Sequence, residues 1–101
     1  MTTKKLKLVI KNLAKKGFRL SQPIPFTDDL YLFLQGQQDG SGLYNVWSLK
    51  ECKFIFPKEY DYINYHITQY GLILEIRTYV EEKAFFRLFS VKDEQFLSPV
   101  D

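Results

Sequence analysis

Residues 30–57 align without a gap on residues 72–99, at an offset of 42 positions. Leu30, Leu32, Ser48, Lys50, Phe54 and Pro57 fall on Leu72, Leu74, Ser90, Lys92, Phe96 and Pro99, which is 6 identities in 28 positions. Ordinary composition gives roughly 2 by chance. Tyr44/Phe86, Val46/Leu88, Trp47/Phe89 and Ile55/Leu97 add conservative pairs. A period of this size predicts repeated supersecondary units that bury their apolar faces by stacking. Such arrays more often bind than catalyse.

Each copy reads as a hairpin followed by a short strand. In the second, Leu72, Leu74, Ile76, Thr78 and Val80 alternate with Ile73, Glu75, Arg77 and Tyr79. That period of two marks a strand. Glu81-Glu82 reads as a tight reversal, Ala84–Val91 as the returning strand and Gln95–Leu97 as a third. In the first copy, Leu30–Gln35 and Leu43–Leu49 flank the turn Gln37–Gly42, whose glycines accept positive φ. Lys53–Phe56 follows, and Pro57 ends it. The glycines of the first turn have no counterpart at Glu81–Ala84, so the two turns differ in type.

Ahead of the repeat, residues 3–16 read as a helix. Leu6, Val9, Ile10 and Leu13 lie on one stripe, Thr2 or Thr3 can cap its start, and Gly17 suits a left-handed C′ position. Pro23 and Pro25 suggest an extended link. The chain thus reads as a single domain, 1–101: a basic helix (1–17), a link (18–29), a first β unit (30–57), a connection (58–71) and a second β unit (72–99). The fold class is mainly β (α+β), with antiparallel hairpin units in two similar copies and an N-terminal amphipathic helix packed on the sheet. Leu6, Val9, Ile10, Leu13, Leu32, Val46, Leu74, Ile76 and Leu88 form the expected core.

At Cys52–Ile63 the chain reads Cys-Lys-Phe-Ile-Phe-Pro-Lys-Glu-Tyr-Asp-Tyr-Ile. This resembles the WG-repeat family of bacterial proteins, whose units run from a Trp-Gly strand through a Gly-Lys turn into Pro-Pro-Lys-Tyr-Asp and an Ile. Lys53, Ile55, Pro57, Tyr60, Asp61 and Ile63 match that pattern, while Asn45, Arg87, Cys52 and Glu94 stand where the family has glycine. The resemblance spans about residues 30–101. It implies stacked β-hairpin units and a scaffold or interaction role, with no shared catalytic residue.

The residues themselves point the same way. Nucleophilic catalysis needs a base beside an activated side chain. His66 is the only histidine and Cys52 the only cysteine. Low-pKa thiols need an electropositive niche, and neighbours such as Asp28-Asp29 or Glu81-Glu82 point apart on a strand or turn. A metal site needs three or four convergent ligands, and no phosphate-loop motif occurs. The chain is expected to be no enzyme, with no catalytic residues, no cofactor and no metal. One cysteine, no membrane-length apolar run and no cleavable leader pattern at Met1–Lys5 suggest a cytoplasmic protein.

Recognition remains. Residues 1–20 carry seven cations and no acid, whereas the rest carries the other seven against 12 carboxylates. Eight of the seventeen aromatics lie between positions 44 and 70, and surface tyrosines make stiff, large contacts. The expected function is protein binding, in the manner of a bacterial immunity or inhibitor protein that blocks a toxin through its acidic body. Tyr60, Tyr62, Tyr65, Asp28, Asp29, Glu81 and Glu82 are the candidate contacts. The alternative is nucleic-acid binding, with Lys4, Lys7, Lys11 and Lys15 on the polar side of the helix holding phosphates. A membrane-surface role is weaker, because the stripe lacks Trp or Phe. An unpaired edge at Leu30–Phe33 or Gln95–Leu97 could support a homodimer or strand addition.

Overall fold

The computed structural model describes residues 2–36 and 42–97. They form helix α1 (Thr2–Ala14) and strands β1 (Phe18–Pro23), β2 (Leu30–Gly36), β3 (Gly42–Ser48), β4 (Lys53–Phe54), β5 (Tyr62–Thr68), β6 (Gly71–Val80), β7 (Lys83–Ser90) and β8 (Gln95–Phe96). The chain is mainly β, as the periodicity predicts. The strands make two antiparallel sheets of four, ordered β1-β2-β3-β4 and β5-β6-β7-β8. Two compact units carry them, Met1–Glu59 and Tyr60–Asp101. The expected turn residues 37–41, the capping hydroxyls of Thr2 and Thr3, and Pro99 lie outside the described residues.

In the first unit the helical stripe finds its sheet. Leu13 is buried with Phe18 and Phe33, and Val9, Ile10, Leu20, Tyr31, Trp47 and Phe54 pack around them. Gly17 ends the turn after α1 at φ +89°, the conformation its position predicts. Residues 18–23 correct the expected link, because they form an edge strand paired to β2. A bulge at Ser21, between the pairs Leu20↔Phe33 and Gln22↔Leu32, breaks the alternation that would reveal it. Pro23 is tolerated because β1 lies at the edge.

The second unit also begins with an unpredicted strand. The expected connection 58–71 contains β5, in which Ile63, Tyr65 and Ile67 face one side and Tyr62, Asn64 and His66 the other. Each unit is therefore a four-strand meander, and each adds a strand before its repeat.

The two turns after the hairpins match closely at offset 42. Ser48 Oγ accepts the Glu51 N–H at 3.2 Å, and Ser90 Oγ accepts the Asp93 N–H at 3.2 Å. Ile55 N–H donates to Val46 C=O, as Leu97 N–H does to Leu88 C=O, both at 2.8 Å. Cys52 and Glu94 share φ 56°, a left-handed conformation rare for side chains other than glycine.

The hairpins themselves differ by one residue. Leu32 faces Val46 in the first unit, but Leu74 faces Phe89, not Leu88, in the second. The cause is turn length. Gly36 pairs with Gly42 across five residues, whereas Val80 pairs with Lys83 across two. An odd change in loop length changes the pairing parity, and side chains of the returning strand change faces relative to their partners. Leu88 is accordingly 42% exposed and Phe89 8%, which corrects the expectation of Leu88 in the core. Leu13, Leu32, Val46, Leu74 and Ile76 are buried as expected; Val9 and Ile10 are partly buried against the first core, and Leu6 is half-buried.

Glu81 and Glu82 occupy the tight turn at φ 50° and 68°. Positive φ at both positions is the type I′ pattern, in which Asn-Gly is preferred. Glu81→Asn with Glu82→Gly should therefore stabilise the chain by about 1–2 kcal/mol, seen as a higher urea midpoint. A lower midpoint would contradict this turn geometry.

Candidate functional site

The slip in the second hairpin builds the surface of interest. Phe86 and Leu88, counterparts of Tyr44 and Val46, share a face with Glu75, Arg77 and Tyr79. Phe85 and Arg87 take the opposite face with Thr78 and Ile76. Residues 83–88 of β7 are exposed throughout, and Phe85 (53%) and Phe86 (58%) leave most of their rings outside. On the Phe86 face, Leu88 (42%) and Tyr79 (52%) are also exposed, so the apolar groups there form one patch.

Polar groups on the same face are held in place. The Arg77 guanidinium lies 5.0 Å from the Tyr62 ring centroid and 5.3 Å from that of Phe86, a cation–π arrangement with both. Its Nε donates to Glu75, whose other oxygen lies 2.8 Å from His66 Nε2. The Arg77 guanidinium, then the His66 ring, hold the Glu75 carboxyl below its ordinary 4.5. Donating hydrogen bonds to Glu75 and to Tyr79 raises Arg77 in turn. Nearby, Asp61 Oδ2 accepts the Tyr79 N–H at 2.8 Å.

Because the folded carboxyl has the lower pKa, its contribution is complete above the unfolded value and fades as pH falls through the folded one. Glu75→Gln should thus be less stable than the parent at pH 7, with the difference shrinking below about pH 4.5. Urea midpoints across pH 7 to 3 check this, and a constant difference would contradict it.

The residues expected as contacts separate into three groups. Tyr60 is buried (6% exposed), so packing replaces the surface role expected of it. Asp29 is structural: its carboxylate accepts Ser48 Oγ–H at 2.9 and 3.0 Å and the Lys50 N–H at 2.7 Å. Its C=O accepts the Leu49 N–H. Asp28, Glu81 and Glu82 are exposed, and Tyr62 and Tyr65 are half-buried. Only Tyr62 joins the surface, through Arg77.

The expected edge also moves. Leu30–Phe33 lies inside its sheet, paired on both sides, and β8 is an edge of just two residues. Lys83–Arg87 is missing from the candidates because the gap-free alignment treats β7 as a copy of buried β3. The signal lay in Glu81-Glu82, whose two-residue turn demands the other pairing parity.

Cys52 is exposed at the turn before β4, and its Sγ contacts Leu49 C=O at 3.5 Å. Among the described residues no three of His, Cys, Asp and Glu converge as metal ligands. No described helix is long and apolar enough to cross a membrane. Comparison with protein-family models, curated proteins and solved structures finds no match.

Proposed function

We propose that the chain is a protein-binding module acting without chemistry of its own, of the kind represented by bacterial immunity and inhibitor proteins that block a toxin. The observation that carries this reading is the exposed face where Phe86, Leu88 and Tyr79 stand beside the clamped Arg77. Aromatic and arginine side chains of this kind dominate binding hot spots. This strip, rather than the acidic body, is the contact surface. Matching turns at Cys52 and Glu94 support reading the chain as two WG-type units, and a cytoplasmic setting suits the free thiol.

The test is co-expression with the product of the neighbouring gene. A complex that survives gel filtration and is lost on Phe86→Lys supports the reading. Absence of any complex, with the neighbour's toxicity undiminished, contradicts it.

A second reading rests on the helix. Lys4, Lys7, Lys11 and Lys15 are exposed, and none forms an ion pair among the described residues. Phosphate binding through them predicts affinity for DNA or RNA that falls steeply with salt, and no binding at low salt removes it.

A further inference from the structure

Among the described residues, the outer edge of β7 before Leu88 is unpaired. β8 pairs only with Phe89 and Ser90, and Leu97 N–H adds one bond to Leu88 C=O. Backbone groups of successive strand residues point to alternate sides. With Leu88 directed toward β8, the N–H and C=O of Ala84 and Phe86 also face outward, away from β6. Among the described residues nothing pairs with them. In the first unit the matching stretch of β3 is tied differently: Asn45 Nδ2 donates to the C=O of Phe56 and of Lys58, at 3.1 and 3.3 Å.

Side chains on this edge define what could lie against it. Lys83, Phe85 and Arg87 share one face; Ala84, Phe86 and Leu88 share the other. Neither Lys83 nor Arg87 forms an ion pair among the described residues, and Arg87 is steadied by stacking 3.8 Å over the Phe96 ring. A second copy is a poor occupant. Pairing Lys83–Arg87 fully with itself across a two-fold axis sets Lys83 against Arg87 twice, and like charges directly opposite are unfavourable. The same two cations favour a strand with acids at matching positions.

Building on the protein-binding reading, we infer that the Lys83–Leu88 edge receives an extended segment of a partner protein as an added antiparallel strand. That segment carries two acids four residues apart, opposite Arg87 and Lys83, with apolar side chains between them. Main-chain bonds to Ala84 and Phe86 supply the attachment, and the paired charges set the register.

The probe is the peptide acetyl-Thr-Glu-Val-Phe-Val-Glu-Thr-amide, titrated into the full chain and followed by amide exchange. Binding should protect the Ala84 and Phe86 amides, and a peptide with Lys for both Glu should bind roughly tenfold more weakly. Lys83→Glu with Arg87→Glu should reverse that preference, a result that loss of folding cannot mimic. Ala84→Pro removes an outward N–H but no bond to β6, and should abolish binding of the acidic peptide. Equal binding of the two peptides overturns the inference. So does protection of both amides in the free chain, which would mean that the edge is already occupied. A partner complex indifferent to Ala84→Pro and to charge reversal removes strand addition alone. Absence of any protein partner removes the broader reading.

Discussion

Phe89→Ala is expected to cost about 3–5 kcal/mol, whereas Leu88→Ala costs less than about 1. The repeat alignment predicts the reverse, since Leu88 matches buried Val46. The pairing decides otherwise. Phe89 stands opposite Leu74 on one side and Phe96 on the other, with ring centroids 5.2 Å apart in an edge-to-face contact. It thus combines the positions of Val46, which faces Leu32, and Trp47, which faces Phe54. Truncation leaves a cavity in the second unit with few atoms able to collapse into it. Leu88 lies on the other face and is 42% exposed. Paired urea denaturation curves check both values, and similar losses for the two variants would contradict the slipped register.

The second large effect is at Asn45. Its side chain is buried: Oδ1 accepts the Val46 N–H, and the two Nδ2 hydrogens are shared among Phe56 C=O, Lys58 C=O and Glu59 Oε2. These bonds tie β3 to the segment following β4. Losing these buried bonds should make Asn45→Ala cost about 2–4 kcal/mol. Its counterpart Arg87 is exposed, and Arg87→Ala should cost less than about 0.5 kcal/mol. Asn45→Gly should be as damaging as alanine, because it also removes the donor. Thermal unfolding of the three variants provides the comparison, and a stable Asn45→Ala would show that these bonds contribute little.

Much of the architecture was written in alternation and spacing. Leu72 to Val80 marked β6, Leu6 to Leu13 marked the inner side of α1, and offset 42 placed β4 and β8 within a residue or two of their observed spans. What escaped had specific causes. Ser21 bulges out of β1 and hides its period. β5 mixes Tyr, Asn and His with Ile, so its two faces do not contrast in polarity. Asp29 looked like a surface acid until β3 and its turn came near enough to bond to it. Tyr60 sat among tyrosines that composition alone could not divide into buried and exposed.

The candidate surface was the least legible part. An alignment scores residue types along the chain, and a one-residue change in pairing across a hairpin leaves those types unaltered. Its effect is nonetheless large, because it turns Phe86 and Leu88 outward and brings Phe89 in. One short turn thereby converts a structural copy of β3 into an exposed strand whose outer edge is unpaired among the described residues. The proposed recognition surface in the second unit rests on that change of parity.

Cross-strand backbone NOEs between β6 and β7 test this account most directly. Contacts joining Leu74 to Phe89 and Ile76 to Arg87 are the predicted result. Contacts joining Leu74 to Leu88 and Ile76 to Phe86 would contradict it, since the second hairpin would then copy the first and put Phe86 and Leu88, not Phe89, on the Leu74 face.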